Sequence, residues 1–119
     1  MKIKLRLLVD SFKAIHGIYD SITTFSRVVS LADSYSEIKN IVALFEARKM
    51  KLVPKADEDG NISVKDYNEL NAKIDSMLEE EVELKYIMKF TKQECADALK
   101  NKLIKGSDFA AIHHYFVRS

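Results

Sequence analysis

A chain of 119 residues with 47% hydrophobic and 31% charged side chains, three Gly and one Pro, is long enough for one core and too regular for low-complexity disorder. Nineteen Lys and Arg against eighteen Asp and Glu leave a formal net charge of +1, which excludes a global field that gathers nucleic acid or anionic lipid and leaves only local patches. The one Cys excludes an internal disulfide, and with three His it falls short of a zinc site of familiar spacing.

At the start of the chain Ile3, Leu5 and Leu7 alternate with Lys2, Lys4 and Arg6, which predicts a short strand with one basic face. The basic residues are interleaved with the apolar ones instead of preceding them, so no signal peptide is read there. No later window reaches the roughly 20 apolar residues of a membrane span, and the expectation is a cytoplasmic protein with no membrane contact. A first helix is predicted from Val9 to Tyr19, burying Phe12, Ile15 and Ile18 or Tyr19, with Gly17 weakening its last turn.

Val28, Leu31, Tyr35, Ile38, Val42, Phe45, Lys49 and Leu52 then step by three and four, the spacing of a helix lying along a partner helix. It occupies roughly residues 24 to 52 and ends before Pro54. Beyond a polar connector Ser63 can cap a second helix with the seam Tyr67, Leu70, Ile74 and Met77, so the two are expected to form an antiparallel helical hairpin. The first seam is the longer, and its remainder must meet the first helix, the C-terminal helices or a partner chain.

A second alternation puts Val82, Leu84, Tyr86, Met88 and Phe90 on one face over 82–90, a strand to pair with the first. Glu79, Glu80, Glu81 and Glu83 become neighbours for the basic face of that first strand, forming a solvated charged surface. Thr91 to Glu94 spells a capping box opening a short helix through about Lys102, with Cys95 as a small buried residue on it. Gly106 and Ser107 separate it from a last helix, Asp108 to Phe116. His113 and His114 there point about 100° apart and do not suit one metal, and His16 is remote in sequence. The whole reads as mainly α (α+β), one domain over 1–119: an antiparallel helical hairpin with a long helix, further short helices and a small two-stranded β-sheet.

The connector carries the one motif with chemistry in it. With Gly60 at position 6 of an EF-hand loop, Asp57, Asp59, Asn61, Ser63 and Asp66 fall at positions 3, 5, 7, 9 and 12, with Ile62 at position 8. Against calcium, Lys55 puts an ammonium at position 1, and Asp66 is shorter than the bidentate Glu that position 12 prefers. The alternative is a turn, built on the readiness of Asp, Asn and Gly for unusual backbone angles. No metal and no cofactor is expected. Neither Cys95 nor any Ser lies in a nucleophile motif and the three glycines form no phosphate loop, so an enzyme is not expected either.

The order of Glu46-Ala47-Arg48-Lys49, Lys55 to Gly60, Asn68-Glu69-Leu70, Leu78 to Leu84 and Ser107-Asp108-Phe109-Ala110-Ala111 resembles a family of short, largely uncharacterised tailed-bacteriophage and prophage proteins. The resemblance covers about residues 45 to 116 and brings no catalytic residues with it. It implies a phage or prophage origin, and with it the cytoplasm of a bacterial host or association with the virion. The expected function is noncatalytic protein–protein interaction, with a copy of itself, a virion component or a host protein, including a defence nuclease such as a CRISPR effector. The alternative is a nucleic-acid-binding accessory protein using a local basic face, Lys2, Lys4 and Arg6 or Arg48, Lys49, Lys51 and Lys55.

Overall fold

The computed structural model describes residues 1–54 and 56–118. In chain order it has β1 (Lys2–Lys4), α1 (Leu5–Ser21), α2 (Phe25–Leu52), α3 (Val64–Leu78), β2 (Glu81–Glu83), α4 (Lys92–Lys100) and α5 (Gly106–Phe116). The fold is mainly α, with a two-stranded antiparallel sheet in which Lys2, Ile3 and Lys4 face Glu83, Val82 and Glu81.

The first strand is shorter than the alternation predicts. It stops at Lys4 and the chain turns straight into α1, so Leu5 and Leu7 are helical. Leu5, Leu8, Ser11, Ile15 and Ile18 are the buried stripe of that helix, stepping by three and four, and this helical period outlasts a period of two that fits only the first few residues. The Leu5 amide still donates to the Glu80 carbonyl, at 2.9 Å, and extends the sheet by one bond.

The second alternation shrinks for the same reason: beyond Glu83 only Met1 remains to pair, its carbonyl accepting from the Leu84 amide at 2.8 Å. The next amides, of Lys85 and Tyr86, donate instead to the two carboxylate oxygens of Glu37 on α2, at 2.8 and 3.1 Å. Leu84, Met88 and Phe90 remain buried, while Tyr86 is exposed. Phe90 makes a parallel bridge to Val117 near the end of the chain.

Helix α1 is the central element: α2, α4 and α5 pack around it, and β1 and α3 touch its first turns. The main core joins Leu8, Ile15 and Ile18 of α1 to Leu31, Ile38 and Val42 of α2, Ala98 of α4 and Ile112 and Phe116 of α5, with Met88 and Phe90 between. The long seam therefore finds its principal partner in α1. Its far end joins a second cluster of Leu5, Phe45 and Met77, flanked by Leu52, Ile74 and Leu78, which is where α3 meets the body.

Gly17 lies inside α1, which runs on to Ser21. A Cβ there would stand 2.8 Å from both the Leu103 carbonyl oxygen and Ile104 Cγ2, so the bare backbone lets the loop after α4 lie against the helix. That loop closes α4 two residues earlier than predicted. The amides of Lys102 and Leu103 donate to the carbonyls of Leu99 and Ala98, with Lys102 at φ 59°, a Schellman cap made without glycine. Helix α5 starts at Gly106, ahead of the expected Ser107 cap, because the Asp108 carboxylate accepts from the Lys105 amide at 2.9 Å. The Thr91/Glu94 capping box forms as predicted.

Candidate functional site

The proposed calcium residues occupy the exposed end of the molecule, and each makes or flanks a local backbone contact. Asp57 Oδ1 accepts from the amides of Asp59 and Asn61, at 2.9 and 2.8 Å, and the Asp57 amide donates to the Asn61 carbonyl. Gly60 turns this loop with φ +81°. Ser63 Oγ accepts from the Asp66 amide at 3.1 Å and caps α3, as predicted, which leaves Asp66 in the first turn of a helix where a carboxylate complements the dipole. Among the described residues no group of three or more His, Cys, Asp or Glu is placed to hold a metal. Lys55, the residue at position 1, lies outside the described residues.

Around this connector several large apolar side chains are exposed among charged ones. Met50, Val64 and Tyr67 are 69, 76 and 56% exposed, with Val53 and Ile62 beside them in sequence and also exposed. Tyr67, the first residue of the predicted α3 seam, is thus open to solvent, whereas Ile74 and Met77 are packed at the other end. The physical reason is the staggering of the hairpin: Arg48, one turn from the end of α2, already reaches Glu80, beyond the end of α3. The first half of α3 consequently extends from the body, in a molecule of 52 × 30 × 22 Å.

Four residues of the basic faces suggested by the sequence, Lys4, Arg6, Arg48 and Lys49, are matched with carboxylates. Lys4 Nζ and Arg6 Nε lie 2.8 and 3.1 Å from Glu79, and Arg48 makes a two-pronged pair with Glu80 at 2.9 and 3.0 Å. Hydrogen bonds from these cations hold the Glu79 and Glu80 carboxyls below the usual range. Lys49 is 3.6 Å from Glu46. The acidic run partners the first strand through Lys4, as its spacing predicts, and the turn after α3 also brings Glu80 to Arg48.

His16 is held between Tyr35 and Asp20, with Nδ1 2.6 Å from the Tyr35 hydroxyl and Nε2 3.1 Å from Asp20 Oδ2. Tyr35 stacks on Tyr19 at 4.2 Å, and burial, aided by Asp20, pushes its phenol up, away from the ionised form a nucleophile needs. This cluster fastens α1 to α2. Cys95 is buried as expected, and burial pushes its thiol up to about 11, so it stays protonated at neutral pH.

The contact least visible in the sequence is Arg27 on Glu94, 67 positions apart, with Nε and Nη2 at 2.8 and 3.0 Å from the two carboxylate oxygens. Glu94 is the same residue that accepts from the Thr91 amide in the capping box, and Arg27 also donates to the Lys89 carbonyl at 2.7 Å. Burial raises the Glu94 carboxyl, but Arg27 and Thr91 together outweigh it and leave it below the usual range. A hollow of about 100 Å³ beside the pair is lined by Ser21, Thr24 and Asp97.

Comparisons of the chain with protein-family models, with curated proteins and with solved structures find no match. Among the described residues no helix is long and apolar enough to cross a membrane.

Proposed function

We propose that this chain is a small noncatalytic protein of phage or prophage origin that works by binding another protein through the extended end of its α2–α3 hairpin. The observation that carries the reading is the apolar surface there: Met50, Val53, Ile62, Val64 and Tyr67 are exposed at the end where α3 leaves the body. Scattered apolar side chains need no explanation on a protein surface, but here they gather at the end of α2, in the connector and in the first turn of α3, and such a group marks a contact surface. The order of motifs from Glu46 to Ala111 supports the phage origin. A virion component and a host protein, such as a defence nuclease of the CRISPR-effector kind, both belong to the partner class, in the host cytoplasm or on the virion.

The test is affinity capture from phage-infected bacteria with the wild-type chain and with a Val64→Glu/Tyr67→Ser variant, whose changes are on exposed positions. A protein retained by the first and lost by the second, and bound again when both partners are purified, supports the reading. Retention of the same proteins by both would sink it. Self-association through this surface is checked by sedimentation at high micromolar concentration, where a strict monomer removes that version.

The second reading, nucleic-acid binding through the expected basic faces, has less behind it, because Lys4, Arg6 and Arg48 face carboxylates. An electrophoretic shift at low salt is its check.

A further inference from the structure

At the other end of the molecule the chain assembles a positive concavity that the sequence does not announce. Two adjoining hollows of about 430 and 310 Å³ share His114, Val117 and Arg118; Lys89 completes the first, and Lys92, Phe109 and His113 the second. Lys89, Lys92 and Arg118 put three permanent cations on walls that hold no Asp or Glu among the described residues, in a chain whose net charge is only +1. The ion pairs found among the described residues lie elsewhere.

Backbone bonds hold these walls in place. The Phe90 amide donates to the Phe116 carbonyl at 2.7 Å and the Arg118 amide to the Phe90 carbonyl at 2.8 Å, and this parallel bridge sets Val117 beside Phe90 and Arg118 one position further along, next to Thr91. Phe90 and Val117 are buried, so the alternation of extended backbone turns Lys89 and Arg118 to the outer side. The carbonyl of Lys89 is tied to Arg27, itself clamped by Glu94. Lys92 opens α4. His113 Nδ1 donates to the Ala110 carbonyl at 3.0 Å, so Nε2 of the neutral ring is an acceptor and the phosphate's donors are the three cations.

We infer that this cleft binds a phosphate-bearing ligand, with the phosphate among Lys89, Lys92 and Arg118. Lys89 and Lys92 line adjoining hollows that share Arg118, and cations gathered in this way on a fixed backbone favour a compact multivalent anion, two of whose oxygens Arg118 can grip at once. The inference is independent of the protein-binding reading, which uses the opposite end of the chain. Phosphate of this kind is presented by a free pyrophosphate group or by the backbone of a single nucleic-acid strand.

Titration calorimetry of the full chain with inorganic pyrophosphate, and fluorescence anisotropy with a labelled oligothymidylate, separate the two sources. The expected result is saturable, salt-sensitive binding of at least one probe, tighter than about 1 mM at low salt. In Lys92→Gln/Arg118→Gln it weakens about tenfold or more, while Lys73→Gln, exposed and on neither basic face, leaves it unchanged. Circular dichroism of each variant verifies that the helices are intact. Binding of neither probe, or equal loss in the Lys73 control and the cleft variant, would overturn the inference, because the attraction would then be diffuse charge.

Discussion

Gly17 and Lys102 occupy the two sides of one junction, and each holds a residue that local propensity disfavours. Replacing Gly17 by Ala improves helix propensity by about 1 kcal/mol, yet its Cβ would meet a backbone oxygen at 2.8 Å. Backbone yields less readily than a side-chain tip, so Gly17→Ala is expected to destabilise by about 1–3 kcal/mol in urea denaturation. A gain in stability would show that the loop simply moves away. On the other side Lys102 has a φ of 59°, where a Cβ is strained and glycine is not. Lys102→Gly is therefore expected to stabilise by about 0.5–1 kcal/mol, part of the relief being offset by a freer unfolded chain. Comparing thermal midpoints of the two variants checks both signs in one experiment.

At the scale of elements, the Arg27–Glu94 pair joins the first turn of α2 to the first turn of α4. The Glu94 carboxyl is depressed on folding, so its contribution is fully present above the ordinary carboxylate range and is lost as pH falls through the folded value. Glu94→Gln is expected to cost about 1–2 kcal/mol at neutral pH, for an incompletely buried two-pronged pair and its cap bond, and progressively less in acid. Urea midpoints of both proteins measured across the acid range check this; a difference that does not shrink with falling pH would mean that packing, and not charge, is lost. Element boundaries show what the sequence carried. Both ends of α2, the Ser63 cap and the Thr91/Glu94 box were legible because they rest on neighbouring residues. The strands were overread, since alternation records which side chains are buried and says nothing about whether a partner strand is present.

For the whole molecule, α1 is the hub and α3 the element with least support, joined through Phe45, Ile74 and Met77 at one end only. Amides in the first half of α3 are expected to exchange with solvent faster than those in α1, by orders of magnitude, in hydrogen-exchange mass spectrometry. Met77→Ala should remove about 2–3 kcal/mol of packing and spread fast exchange over all of α3, with α1 and α5 still protected. Uniform loss of protection would show that the hairpin and the main core unfold as one unit.

The calcium-loop spelling was legible in the sequence, and so was its failure to satisfy position 1; the turn and cap bonds of Asp57 and Ser63 are the local outcome of the same residues. The sequence by itself determined the number and order of the helices, the Ser63 and Thr91/Glu94 caps, the buried seam of α2 and the burial of Cys95, because period, cap and turn act between residues a few positions apart. Only the tertiary structure decided which helix the long seam meets, which carboxylates reach Arg27 and Arg48, and that Lys89, Lys92 and Arg118 share one cleft. Those pairings span large sequence separations, and each is fixed by how whole elements pack against α1, where no local pattern records it.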